Sequence, residues 1–182
     1  MTRPMIILSG VLGIGLAANA GPAEPAKGAA LRLMLSEVQP GAMATEQYCM
    51  LVFVDRRFHA EKANRKMGKD RDRKVYEGEL SEAGWNSLGG ILDRREFREL
   101  NVPLPLPPLV LQDTHVYTIS VAREKTFQNM EFLNNQSRKP YESQLKPLLQ
   151  WWKTLRSAHM PESSAPPDSR CLLDSTHAVF SY

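Results

Sequence analysis

Apolar and polar side chains alternate along several segments of the chain and recur at helical spacing in two others. Leu31, Leu33 and Leu35 take every second position of "LRLMLSEV", a candidate first strand. "EQYCMLVFVD" (46–55) is aromatic, β-branched and apolar on both faces, which predicts a central strand. After a turn at Asp55, Arg56 and Arg57, "RFHAEKANRK" keeps the alternation, with Phe58, Ala60 and Lys62 on one face and His59, Glu61 and Ala63 on the other. "MGKDRD" (67–72) supplies Gly and Asp for a second turn. "RKVYEGEL" then resumes a strand, Val75 pointing one way and Tyr76 the other.

The first helical pattern is "LSEAGWNSLGGILDRREF" (80–97). Ser81 fits an N-cap, Glu82 favours the positive end of the helix dipole, and Leu80 with Trp85 sits at the positions of a hydrophobic staple. Trp85, Leu88 and Leu92 form the apolar face, with Ile91 beside them. Gly84, Gly89 and Gly90 each cost about 1 kcal/mol relative to alanine, which suggests either close approach of a neighbouring backbone or a loose helix. "NVPLPLPPLVL" follows, with Pro103, Pro105, Pro107 and Pro108 favouring an extended connector whose leucines cover the core. Its P-x-x-P pattern (Pro105 to Pro108) is also a ligand pattern for aromatic-grooved reader domains, a reading that the connector outweighs. "HVYTISVAR" and "TFQNMEFLNN" predict a hairpin turning at Arg123, Glu124 and Lys125, with Met130 and Phe132 across from Tyr117, Ile119 and Val121. "LKPLLQWWKTLRSAH" is the second helix, with Pro147 in its first turn, Leu145, Leu148, Leu149, Trp152 and Leu155 as the stripe, and Trp151 to the side.

These patterns predict an α+β domain: an antiparallel sheet of four to six strands with two helices packed on one face, in the order strand–strand–strand–helix–strand–strand–helix. Residues 31–159 make up the domain, 21–30 a Gly/Ala/Pro lead-in, and 160–182 a flexible tail carrying Cys171.

The first 20 residues have the form of an export signal. Arg3 gives a positive start, Met5 to Ala17 an apolar stretch, and "ANA" (18–20) a small-x-small cleavage site before Gly21. The stretch falls well short of the roughly 20 residues that span a bilayer, so a cleaved signal is expected, with a retained anchor as the alternative. A periplasmic or secreted product follows, one that does not span a membrane after cleavage. Its two cysteines, Cys49 and Cys171, read as a disulfide in an oxidising compartment; the alternative is a buried free Cys49 and an exposed Cys171.

Charge changes the picture only locally. The formal balance of +3 loses one positive charge with Arg3, which argues against a nucleic-acid partner. Residues 56–74, however, carry nine Lys or Arg against three acids. Arg57, Lys62, Arg65 and Lys66 before the second turn, and Lys69, Arg71, Arg73 and Lys74 around and after it, are the candidates for an anionic ligand. The competing reading is the water-facing side of a hairpin. Trp151 is the aromatic surface candidate.

Other chemistry finds little footing. His59, His115, His159 and His177 are isolated in sequence, without H-E-x-x-H or a Cys pair beside a His, so neither a metal nor a cofactor is expected. There is no G-x-S-x-G for a nucleophile. Glu77, Glu79 and Asp93 are acids that could meet only in the fold. Asn135 to Ser137 ("NQS") is a glycosylation pattern for a eukaryotic secretory route.

The phrases "CMLVFVDRRFHAEK", "KVYEGELS", "LGGILD" and "LKPLLQWWKTL" resemble a group of uncharacterised exported bacterial proteins, domains of unknown function. These share a Cys-led strand, an R-F-H-x-E phrase, a V-Y-E-G-x-L-S phrase and a closing L-x-P-L-L-x-W helix, and some end with a lone cysteine. The similarity spans about residues 48 to 171, except that Asp55–Arg56 stands where members have Asp-Gly. It implies export, this fold and the bridge, and brings no activity. The expected function is a non-enzymatic exported binding or interaction module of the cell envelope, its partner an envelope protein or an anionic polymer. The alternatives are a secreted hydrolase with an unrecognised acidic site, or an anionic-polymer binder using the 56–74 run.

Overall fold

The computed structural model describes residues 30–41, 44–66, 69–103, 115–158, 160–164 and 171. The export segment, the lead-in, residues 104–114 with Pro105 to Pro108, His159, His177 and most of the tail lie outside the described residues.

The architecture is α+β, with an antiparallel sheet of seven strands in the order β6-β5-β1-β2-β3-β4-β7. The strands are β1 (Leu31–Pro40), β2 (Thr45–Phe53), β3 (Arg57–Lys66), β4 (Lys69–Glu79), β5 (Val116–Ala122), β6 (Phe127–Phe132) and β7 (Glu162–Ser163). Among the described residues four strands, not three, precede the first helix. The seventh comes from the expected tail, where Glu162 and Ser163 pair with Tyr76 and Val75. β2 is the middle strand, and its neighbours Cys49 and Met50 are buried on opposite faces, as an all-apolar segment requires. The β5–β6 hairpin sets Tyr117 opposite Phe132 and Ile119 opposite Met130.

Arg56 closes the β2–β3 turn at φ 72°, the left-handed region that glycine occupies without a Cβ clash. Its carbonyl accepts from Leu80 N at 2.9 Å, which ties the turn to the end of β4.

Two longer helices, α1 (Glu82–Leu92) and α4 (Glu142–Ser157), pack on one face of the sheet, accompanied by the single turns α2 (Arg95–Arg98) and α3 (Asn135–Arg138). Their Leu88, Ile91, Leu92, Leu145, Leu148 and Trp152 share a core with Leu33, Leu35, Met50, Val52, Ile119 and Phe132 of the strands. Ser81 caps α1, its Oγ accepting from Gly84 N at 3.1 Å.

The segment read as one helix to Phe97 breaks at Asp93 and Arg94. Arg32 grips the Asp93 carboxylate with two 2.8 Å bonds, and Arg123 Nη1 donates to the terminal carbonyl of Leu92 at 3.1 Å. Arg94 then turns extended, at ψ 140°. α4 begins three residues before Leu145, so Pro147 lies in its second turn, and the missing bond falls to the carbonyl of Ser143.

A Cβ on Gly89 or Gly90 would meet no atom within 4 Å, so close backbone approach does not account for these glycines. The Gly89→Ala/Gly90→Ala double variant is therefore expected to gain about 2 kcal/mol of helix propensity. Thermal melting should then rise by roughly 4–8 °C.

Candidate functional site

Strand alternation divides the sheet into a helix-covered face and a second face, and each carries a buried glutamate. Glu37, on the helix-covered face of β1, is 2% exposed. Its carboxylate accepts from Tyr117 Oη (2.6 Å), Gln39 Nε2 (2.6 Å), His115 Nε2 (2.7 Å), Trp152 Nε1 (3.2 Å) and Arg156 Nη1. Burial alone would raise its pKa, but the Tyr117 bond, the Arg156 charge and the His115 and Gln39 bonds outweigh that and hold it below the usual carboxylate range. Burial and the same carboxylate push the Tyr117 hydroxyl up.

Glu37 thereby fixes Arg156, whose guanidinium stacks on Tyr48 with its carbon 3.8 Å from the ring centroid. Lys62 Nζ stands 5.1 Å from the centroid of that ring. Around this anchor lie two clefts. The first, of about 620 Å³, opens between the C-terminal half of α4 and the β2–β4 strands, with Lys62, Lys74, Lys153, Arg156 and Tyr76 among its walls. The second, of about 580 Å³, runs along the other side of α4 past Arg138 and Lys146. Trp152, Lys153 and Arg156 line both.

The basic run divides accordingly. Lys62 and Lys74 are register partners on the helix-covered face, so both reach the first cleft. Arg73 points to the second face, and Arg57 is held by Asp55, with Nε donating to Oδ2 at 2.7 Å. Lys66 lies in a separate recess with Asp72, near the end of the β3–β4 hairpin. Arg65, Lys69 and Arg71 belong to the same hairpin, their side chains outside the described residues. Two of the eight candidates thus join cations from α4 and α3 that the sequence reading did not single out. A signal for them existed: Lys146, Lys153 and Arg156 are spaced by seven and three, which places them along one side of a helix. Trp151 is half-buried against the core rather than freely exposed.

On the second face, Glu61 is 1% exposed and receives four hydrogen bonds: from His59 Nε2 (2.8 Å), Arg73 Nη2 (2.8 Å), Arg73 Nε (3.0 Å) and Cys171 N (2.9 Å). The Nδ1 of His59 meets Glu77 Oε1 at 3.1 Å, and Ser163 Oγ donates to Glu77 Oε2. Burial opposes ionisation of Glu61, yet the bonds from His59, Arg73 and the Cys171 backbone, with the Arg73 charge, hold its pKa at about 2. Burial likewise opposes the charged imidazole, but both ring nitrogens face carboxylates and the pKa of His59 is raised.

His59 and His115 are therefore not isolated; each is bound to a glutamate. One group, His59, Glu61 and Cys171, brings ligand-type atoms within 4.8 Å of one another among the described residues. The sulfur of Cys171 is committed to Cys49 and the carboxylate of Glu61 is already filled by a guanidinium, so the cluster is built as an ion-pair network. Cys49 and Cys171 stand at bonding distance, their Cα atoms 5.9 Å apart. Glu77, Glu79 and Asp93 do not converge: they engage His59, Arg56 and Arg32 respectively. Among the described residues no helix is long and apolar enough to cross a membrane.

Compared with known proteins, the chain matches no family model and no curated relative.

Proposed function

We propose that the protein is an exported, non-enzymatic binding module of the cell envelope, and that its ligand occupies the cleft between α4 and the β2–β4 strands. The observation carrying this reading is the convergence of Lys62, Lys74, Lys153 and Arg156 on one concave surface, with Arg156 held in place by a buried carboxylate. Export rests on the N-terminal leader pattern and on the cysteine pair.

The chemistry of the buried acids favours binding over turnover. A general acid at neutral pH needs a carboxyl group whose pKa is raised. Glu37 and Glu61 are both shifted the other way, and each is saturated by donors. Such groups orient cations and stay ionised.

Amide hydrogen exchange in the presence of solubilised envelope material from the producing cell tests this reading. Slowed exchange is expected over the second half of α4 and residues 160–164. Protection confined to the β3–β4 hairpin end or to the β5–β6 hairpin would refute it.

A further inference from the structure

We propose that the ligand is an anionic polysaccharide, a chain bearing carboxylate or sulfate groups, that lies across both clefts along α4; this rests on the cleft reading above. The two clefts share Trp152, Lys153 and Arg156 and therefore adjoin along α4. Along them run Lys74, Lys62, Lys153, Arg156, Lys146 and Arg138, faced by the carboxylates of Glu37, Glu142 and Glu162, with Glu46 at the rim 3.9 Å from Lys62 Nζ. The side chain of Glu61 belongs to the opposite face, where it bonds His59 and Arg73. Of the three facing acids, Glu37 is taken up by Arg156 and its other donors. Lys146 and Lys153 make no ion pair among the described residues and are exposed. A surface of this length and sign suits several anionic groups in series better than a single small anion.

Arg138 adds a cation to the second cleft, held by its bond from Nη2 to Asn135 Oδ1 at 2.8 Å and by the Tyr117 ring, whose centroid lies 4.5 Å from its guanidinium carbon.

The rings decide among anionic polymers. Nucleic-acid strands bind on free aromatic faces that stack bases. Here Tyr48 is covered by Arg156 and approached by Lys62, Trp152 is 2% exposed, and Tyr76 is half-buried against the core. Lipid surfaces require an apolar patch that enters the headgroup layer. The large hydrophobics exposed among the described residues are Val54 and Phe127, and neither lines the clefts. Discrete cations with few free rings fit an anionic glycan.

Glu162 adds a second handle. Its Oε2 lies 3.1 Å from Lys74 Nζ, so β7 places a protein carboxylate where a ligand anion would sit. A chain entering the first cleft displaces that contact.

Binding of the purified protein to polygalacturonate, dextran sulfate and neutral dextran, with single-stranded DNA and phosphatidylglycerol vesicles as competitors, tests the proposal. One or both anionic glycans should bind and neutral dextran should not. Lys146→Glu/Lys153→Glu should weaken binding at least tenfold and flatten its salt dependence. Lys66→Glu/Lys69→Glu, with the same charge change at the hairpin end, should cost less than threefold. Glu162→Gln should tighten binding severalfold, and all variants should keep the wild-type circular dichroism and melting curve. Equal losses in the two lysine pairs, no gain in Glu162→Gln, or tighter binding of DNA or vesicles would overturn the proposal. If neither anionic glycan binds while the exchange footprint still falls on α4 and residues 160–164, the polysaccharide assignment fails and the cleft reading stands.

Discussion

Replacing Glu61 with glutamine is expected to destabilise the domain by about 3–5 kcal/mol, because it leaves Arg73 and His59 buried beside each other without their shared counter-ion. Both cationic side chains are largely withdrawn from water, Arg73 at 16% and His59 at 5% exposure, so solvent cannot replace the carboxylate. The loss should have a distinctive pH dependence. The pKa of Glu61 falls from an ordinary 4.5 to about 2, so its contribution is fully present above about 4.5 and disappears as pH drops through 2. The pKa of His59 rises above 6.5, so its contribution is complete below 6.5 and is lost as pH climbs through the folded value. The gap between wild type and Glu61→Gln should therefore be widest between about pH 4.5 and 6.5 and narrow on either side. Urea unfolding at a series of pH values measures it. A gap under 1 kcal/mol at pH 5.5, or one that keeps widening above pH 8, would contradict the ion-pair account.

Removing the Cys49–Cys171 bridge should have an effect of similar size. The two cysteines are 122 residues apart, and in the chain-entropy treatment a loop of that length contributes roughly 4–5 kcal/mol by restricting the unfolded chain. Cys49→Ala/Cys171→Ala should melt on the order of 10 °C lower. Because both cysteines are buried, alkylation of the urea-unfolded wild-type protein followed by mass measurement should label no cysteine without reductant and both with it. Labelling of both without reductant would show the bridge to be absent. The two variants should also fail to add. Cys171 donates its backbone N–H to Glu61, so losing the tether loosens one of that carboxylate's four bonds, and the combined loss should fall short of the separate losses together.

The parts of the fold legible in the sequence were those governed by neighbours along the chain. The apolar, β-branched run of residues 46–55 and the alternation in 58–63 gave two strands, and the alternation assigned His59, Glu61 and Ala63 to one face, as observed. Ser81 marked the start of α1 for the same local reason. What could not be read depended on distant residues. The break after Leu92 is set by Arg32 and Arg123, and β7 by a register with β4 across 88 residues. The second face looked like a wet hairpin surface because nothing in residues 56–74 signals that Cys171 sits against Glu61. The cationic cleft was half-visible: its strand lysines stood out in a basic run, whereas its helix cations passed as the solvent side of an amphipathic segment. The sequence could not show that one face of β3 and β4 shares Lys62 and Lys74 with α4 while the other sends Arg73 into an ion pair.

The placement of Cys49 in the middle strand bears on how the chain matures. Synthesis delivers this thiol 122 residues ahead of its partner, so it must wait while nearly the whole domain is made. Pairing of β2 with β1 on one side and β3 on the other needs only residues 31 to 66, all of them already present. Once that meander closes, Cys49 lies between Ser36 and Glu61, beside the carboxylate that later receives the Cys171 N–H.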